Sequence, residues 1–204
     1  MAPKKIVQYF AARFVLSMFL AFSLLGMLAP QYAQAKADST SIPELSIFIE
    51  QVKNGDAHAL RGIYVANVMA YPIVPQPKND TGFVSEKSNE VTQFSLASKK
   101  GNIGLLAHNT LAGESFFNVT YGSIVTLVYG DGSTESFEVE TISIYQALPY
   151  NRYKNLQTQE TVYATNVFNK AYGGDYHVTL QTCVEMAEDE DWGRMFIIAK
   201  PIKH

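Results

Sequence analysis

The sequence predicts an all-β domain, a sandwich or a barrel, and three observations carry that expectation. From Gly62 onward the chain breaks into short β-rich runs instead of long helical periods. Turn-forming residues separate these runs, most clearly at Gly130-Asp131-Gly132-Ser133, where an Asp-Gly pair between two such runs signals a hairpin. Only one early stretch carries a helical pattern, so about eight strands and one or two helices are expected.

Taken in order, residues 36–41 are small and polar and read as a spacer. Pro43 to Leu60 sets Leu45, Ile47, Phe48, Val52 and Leu60 at roughly helical spacing, with Ser41 as N-cap and Asn54-Gly55 as the stop. Ile63 to Ala70 reads as a strand ending at Pro72. Pro72, Pro75 and Pro77 through Asn79-Asp80 read as a loop. Val91 to Ala97 and Asn102 to Ala107 are the next two strands, divided at Lys99-Lys100-Gly101. Ser123 to Tyr129 and Ser136 to Tyr145 form the hairpin. Leu148 to Gly174 is rich in Asn, Gln and Tyr and irregular, apart from a β-prone run at Thr161 to Val167. His177 to Cys183 and Met195 to Ile202 close the set as two strands around an acidic loop.

Residues 1–35 stand apart. Lys4, Lys5 and Arg13 precede an apolar run from Phe14 to Ala29, and Ala33-Gln34-Ala35 offers an A-x-A cleavage site. The run is about sixteen residues, shorter than the roughly twenty that span a bilayer. It is expected to direct export, either as a cleaved signal peptide or as a retained N-terminal membrane anchor. The protein would then sit on the outer face of the membrane or be secreted. Residues 36–204 are enough for one domain, with a spacer and helix at 36–61 and the main body at 62–204. The net charge is −3, and removing a leader with three positive side chains makes the domain more acidic. Without clustered Lys and Arg it is a poor nucleic-acid binder.

An exported domain commonly pairs its cysteines, yet this chain has one, Cys183. It is either a small buried hydrophobe or a reactive thiol. Cys183 ends the run Thr179-Leu180-Gln181-Thr182, and the end of a strand holds a nucleophile firmly while a loop leaves it open to substrate. Arg194 begins the following apolar strand. If the two strands pair, its guanidinium returns near the thiol, where it favours thiolate and developing negative charge. A histidine must supply the proton transfers. His204 is terminal, His58 lies in the early helical segment, and His177 is six residues from Cys183, about 20 Å along a strand. His108, at the end of the Asn102 to Ala107 strand, is the best candidate by elimination.

These residues resemble a known family. Thr179-Leu180-Gln181-Thr182-Cys183 is similar to the T-L-x-T-C signature of sortases. Leu106-Ala107-His108-Asn109, with Gly113 and Phe116-Phe117 after it, resembles the family's histidine segment, and Arg194 before a β-rich strand resembles its arginine. The resemblance runs from about Gly62 to Lys203, in the order histidine, cysteine, arginine. It implies a closed eight-stranded β-barrel. The activity it implies is cleavage of a C-terminal Leu-Pro-x-Thr-Gly-like sorting signal through a thioester on Cys183. The acyl fragment then passes to an amine on the cell wall or another protein, with hydrolysis as a side reaction. His108 would be the acid/base and Arg194 the backbone and oxyanion ligand, while Ala107, Asn109 and Thr182 become candidate substrate contacts. The long segment Leu148 to Gly174 lies where the family carries its recognition loop.

No cofactor is expected. The acidic run Glu185, Glu188, Asp189, Glu190 and Asp191 reads as a solvated loop. Calcium is the alternative, since some sortases bind it near the recognition loop, although the spacing lacks the pattern of an EF-hand. Trp192 is expected to pack at the base of that loop. Two other functional classes stand beside the first. One is a non-catalytic sortase-like domain for binding or assembly. The other is an L,D-transpeptidase, whose Ser-His-Gly approach to cysteine is not matched by Gln181-Thr182.

Overall fold

The computed structural model describes residues 42–187 and 189–202. The leader, the spacer, Ser41, Glu188, Lys203 and His204 lie outside them, and with them the expectations of export and anchoring. Ten strands are present among the described residues: β1 (Leu60–Val65), β2 (Met69–Pro75), β3 (Val91–Gln93), β4 (Ile103–Leu106), β5 (Ile124–Tyr129), β6 (Thr134–Leu148), β7 (Arg152–Asn155), β8 (Thr161–Tyr163), β9 (Val178–Met186) and β10 (Asp189–Pro201). They hydrogen bond in the order β10-β9-β4-β3-β2-β1-β5-β6-β7-β8, and a further β10–β6 pairing closes the ring. Eight strands therefore form a closed barrel, with β7 and β8 projecting from β6 as an extra hairpin. Closure removes the free edges that would otherwise template pairing with other chains. The barrel expected from the resemblance is present.

Strand periodicity sorts the last two barrel strands into two faces. On β10, Met195, Ile197 and Ala199 enter the barrel core with Val178 and Leu180 of β9. Phe196, between them, turns outward to a second cluster with Tyr145, Val167, Ala171 and Tyr172. The helix α1 (Leu45–Val52) buries Phe48 and Val52 against Val128 of β5. A shorter helix, α2 (Ser95–Ser98), adds Ala97 to the outward cluster. Val167, Ala171 and Tyr172 belong to helix α3 (Ala164–Tyr172), which covers this outer face. Each such buried large side chain contributes roughly 1.5–3 kcal/mol.

Several elements differ from the sequence reading. The single strand expected over Ile63 to Ala70 is a hairpin, β1–β2, turning at Asn67 with φ 61°. No glycine marks that turn, and Asn is the residue that best tolerates a left-handed conformation without one. Pro72 sits within β2, paired with Gly62, where β3 has not yet joined the other side. A missing N–H costs little there. The strand expected over Val91 to Ala97 stops at Gln93 and gives way to α2. His58 lies in a turn after α1, its N–H donated to Asp56. The Asp-Gly hairpin is as expected, with Gly132 at φ 90° and Asp131 accepting from both the N–H and hydroxyl of Ser133.

The largest differences lie on either side of β9. The irregular stretch from Leu148 holds β7, β8 and α3, so it is a folded appendage. The strand expected to end at Cys183 runs on to Met186, and the one expected from Met195 starts at Asp189, so Cys183 and Arg194 lie inside β9 and β10. Glu185, Asp189, Glu190 and Asp191 belong to these strands, with Asp189 opposite Met186 and a register shift before Gly193. Trp192 is half-buried on β10. Among the described residues, no helix is long and apolar enough to cross a membrane.

Candidate active site

Three strands meet where the candidate residues lie. On the antiparallel pair β9–β10, Cys183 and Arg194 are direct cross-strand partners. Side chains opposed in this way stand about 4.5–5.5 Å apart at Cβ. Alternation fixes their face. Leu180 and Ile197 are a core-facing pair, so Gln181 and Phe196, and then Cys183 and Arg194, look outward toward α3. Cys183 is half-buried and Arg194 donates Nη1–H to the Gly193 carbonyl at 2.8 Å.

The β4 strand lies on the other side of β9, in parallel, with Leu105 opposite Leu180 and Leu106 opposite Gln181. The Ala107 N–H extends the ladder to the Gln181 carbonyl at 3.2 Å. The ladder of β4 ends there, and His108 follows two residues past Leu106, in the segment that leaves the strand. The segment after it is held tightly, because the His108 carbonyl accepts from the N–H groups of both Leu111 and Gly113. The buried Thr182 hydroxyl donates to the Ala107 carbonyl at 2.9 Å. Gly113 packs into that junction. A Cβ there would lie 2.6 Å from the His108 carbonyl oxygen, 2.8 Å from that of Ala107, and closer still to the Thr182 hydroxyl.

Each of the three candidate substrate contacts makes a hydrogen bond within the protein. Thr182 and Ala107 bond to each other, and Asn109 donates to Glu185 at 3.3 Å. Thr182→Val keeps the shape and deletes the donor. It is expected to cost about 1–2 kcal/mol, lowering the melting temperature by about 2–8 °C in a domain of this size. Calorimetry on the variant checks this.

Beside Arg194 opens a groove of about 230 Å³ lined by Phe94, Tyr153, Phe168, Tyr172, Gln181 and Phe196, among others. Edge-on contacts stiffen its floor, with Phe94 and Tyr172 ring centres 5.1 Å apart. The Tyr172 hydroxyl donates to Gln181 Oε1 at 2.6 Å. Burial pushes that phenol far above its ordinary pKa, so it remains a neutral donor. Besides β9 and β10, the groove's walls come from α3, β7 and the residue just before α2, none of which had a specific sequence signal beyond scattered aromatics. His177, set aside on distance, is 2% exposed. Its ring nitrogens lie 2.7 Å and 2.9 Å from the carbonyls of Asp175 and Ala171, where it ties the end of α3 to β9. Among the described residues, no group of three or more His, Cys, Asp or Glu side chains converges as a metal site.

No protein-family model and no curated protein sequence matches the chain. Solved structures do. Sortase A from Corynebacterium diphtheriae is 15% identical with a TM-score of 0.49, over 73% of this chain and 63% of that one. Sortase C-1 from Actinomyces oris is 15% identical with a TM-score of 0.47, over 79% and 82%. A lid mutant of Streptococcus agalactiae sortase C1 is 16% identical with a TM-score of 0.46, over 76% and 74%. The chain has a closed eight-stranded barrel, and these solved structures similar to it are sortases.

Proposed function

We propose that this chain is a sortase-type cysteine transpeptidase acting on proteins that carry a C-terminal Leu-Pro-x-Thr-Gly-like sorting signal. The observation that carries the reading is the pairing of Cys183 with Arg194 on the outward side of the barrel, with the segment that carries His108 tied to β9 by the bonds of Ala107 to Gln181 and Thr182. The aromatic groove next to Arg194 suits the apolar part of such a signal.

In this mechanism the Cys183 thiolate attacks the carbonyl of the threonine in the signal. Arg194 stabilises the oxyanion as charge develops there. His108, as imidazolium, protonates the departing amine, since an amide nitrogen leaves poorly otherwise. A thioester remains on Cys183, and an amine acceptor at the cell surface takes the acyl fragment in a second, easier step. Water in place of the amine gives hydrolysis as the side reaction. Side chains of the protein carry every step, so no cofactor enters the proposal. A leader at residues 1–35, cleaved or retained as an anchor, would bring the enzyme to the outer face of the membrane, where its substrates and acceptors are.

The test is a quenched peptide bearing the signal, incubated with the chain with and without triglycine. Cleavage with an amine-dependent product is expected, and Cys183→Ala should reduce it by at least about a thousandfold. An unreactive thiol and no cleavage across a panel of signals would instead favour a non-catalytic binding domain.

A further inference from the structure

Two cavities flank the candidate site and share no lining residue. One is the aromatic groove that Arg194 borders. The other, of about 570 Å³, opens between His108 and the β2–β3 loop. Its wall carries Asp80, Glu86 and Glu90 with one cation, Lys87. That loop is built and not slack. The buried Gln76 amide donates to the carbonyls of Thr81 and Phe83, both at 3.0 Å, while its oxygen accepts from the N–H and hydroxyl of Ser95. The Ser85 N–H donates to Thr92, and the Ser85 hydroxyl to Glu90 at 2.6 Å. Burial would raise the Glu90 carboxyl, but hydrogen bonds from Ser85 and Lys87 outweigh it and hold the group below its usual range.

The chemistry divides these cavities. His108 gives a proton to the leaving amine and takes one from the incoming amine. By microscopic reversibility the two nitrogens therefore occupy one position. The acyl half of the donor belongs to the groove beside Arg194, which leaves the amine half on the His108 side. We propose that the cleft between His108 and the β2–β3 loop is the amine subsite, the exit for the cleaved tail and the entrance for a primary amine held as its ammonium ion. The assignment rests on the transpeptidase reading above.

An alkyl amine near neutral pH is largely protonated. The carboxylates of the cleft raise its local concentration, and His108, neutral after the first half-reaction, accepts one N–H proton. The freed lone pair forms the C–N bond, the C–S bond breaks with its electron pair left on Cys183, and the second N–H proton passes to solvent. Thiolate and imidazolium are restored.

The test reads the partition of the thioester between transfer and hydrolysis. Asp80→Lys/Glu86→Lys reverses charge at two exposed positions, and Glu86→Lys alone spares the bond from the Gly82 N–H to Asp80. With triglycinamide (an α-amine) or Nα-acetyl-lysine amide (an ε-amine) as acceptor, the double variant should shift the partition about fivefold toward hydrolysis. Uncharged hydroxylamine should show less than half that shift. A response from one amine only identifies which source the cleft takes. An equal loss with hydroxylamine, or a partition unchanged in both variants, overturns the proposal. Independently of turnover, triglycinamide titrated into the Cys183→Ala chain should move the NMR amide signals of Gly82, Glu86 and His108. Movement confined to Phe168, Tyr172 and Arg194 overturns it. If no sorting signal is cleaved at all, the transpeptidase reading is what has failed, and the amide shifts alone decide whether the cleft takes amines.

Discussion

Gly113→Ala is expected to destabilise the barrel by about 3 kcal/mol and to lower the rate of signal-peptide cleavage by about a hundredfold. The position has no room. A methyl group would meet the carbonyl oxygens of His108 and Ala107 at 2.6 Å and 2.8 Å and press on the Thr182 hydroxyl. These atoms cannot swing aside as a long side chain would. Two are backbone and the third is bonded to one of them. Relief must come from moving the 107–113 segment away from β9, which carries His108 with it. Position matters steeply in such chemistry, because a misplacement of about 1 Å can cost two orders of magnitude. Thermal denaturation and the quenched-peptide assay, run on one preparation, separate the two effects. A variant with native melting temperature and native turnover would show that this junction does not hold the histidine.

Arg194→Lys is expected to leave folding nearly intact while kcat/KM falls about a hundredfold, a loss of roughly 2.7 kcal/mol in transition-state stabilisation. The charge survives the change, but the planar fork does not. In the protein one Nη1–H bonds to the Gly193 carbonyl, which orients a guanidinium whose donors lie in a fixed plane. An ammonium is a point charge on a flexible stem, and it cannot hold that orientation and address an oxyanion with equal geometry. The comparison of kcat/KM with melting temperature decides the role. Near-normal turnover would remove the arginine from the mechanism, and a loss confined to stability would make it a structural residue.

Much of the barrel is legible in the sequence because β-rich runs and turn residues are local signals. The facing within the continuous apolar run Met195 to Ala199 comes from the pleat, which sends Met195, Ile197 and Ala199 into the core and Phe196 outward. The Asp131-Gly132 turn is equally local, and it forms where the sequence puts it. The β1–β2 hairpin is not legible, because Asn67 supplies its positive φ without the glycine that would announce it. Nor is the helix α3, because its sequence, Ala164–Tyr172, is short, polar on one side and begins inside the β-prone run Thr161 to Val167, of which only Thr161–Tyr163 is strand. Its helical state is decided by the buried side it lays on Phe196 and Tyr145.

The sequence by itself determined the all-β class, the Asp131-Gly132 hairpin, and the presence of a lone thiol with the groups able to work with it. Only the tertiary structure decided that β4 runs parallel beside β9, joining Ala107 to Thr182 across 75 residues, and that Arg194 falls opposite Cys183 and not one residue away. The reason is physical. Side-chain alternation tells which face of a strand is buried, but the choice of partner and register belongs to the closed sheet as a whole, in which a slip of one residue would turn Cys183 into the core. The aromatic groove and the acidic cleft have the same origin, because each is a space between elements and no single stretch of chain encodes it.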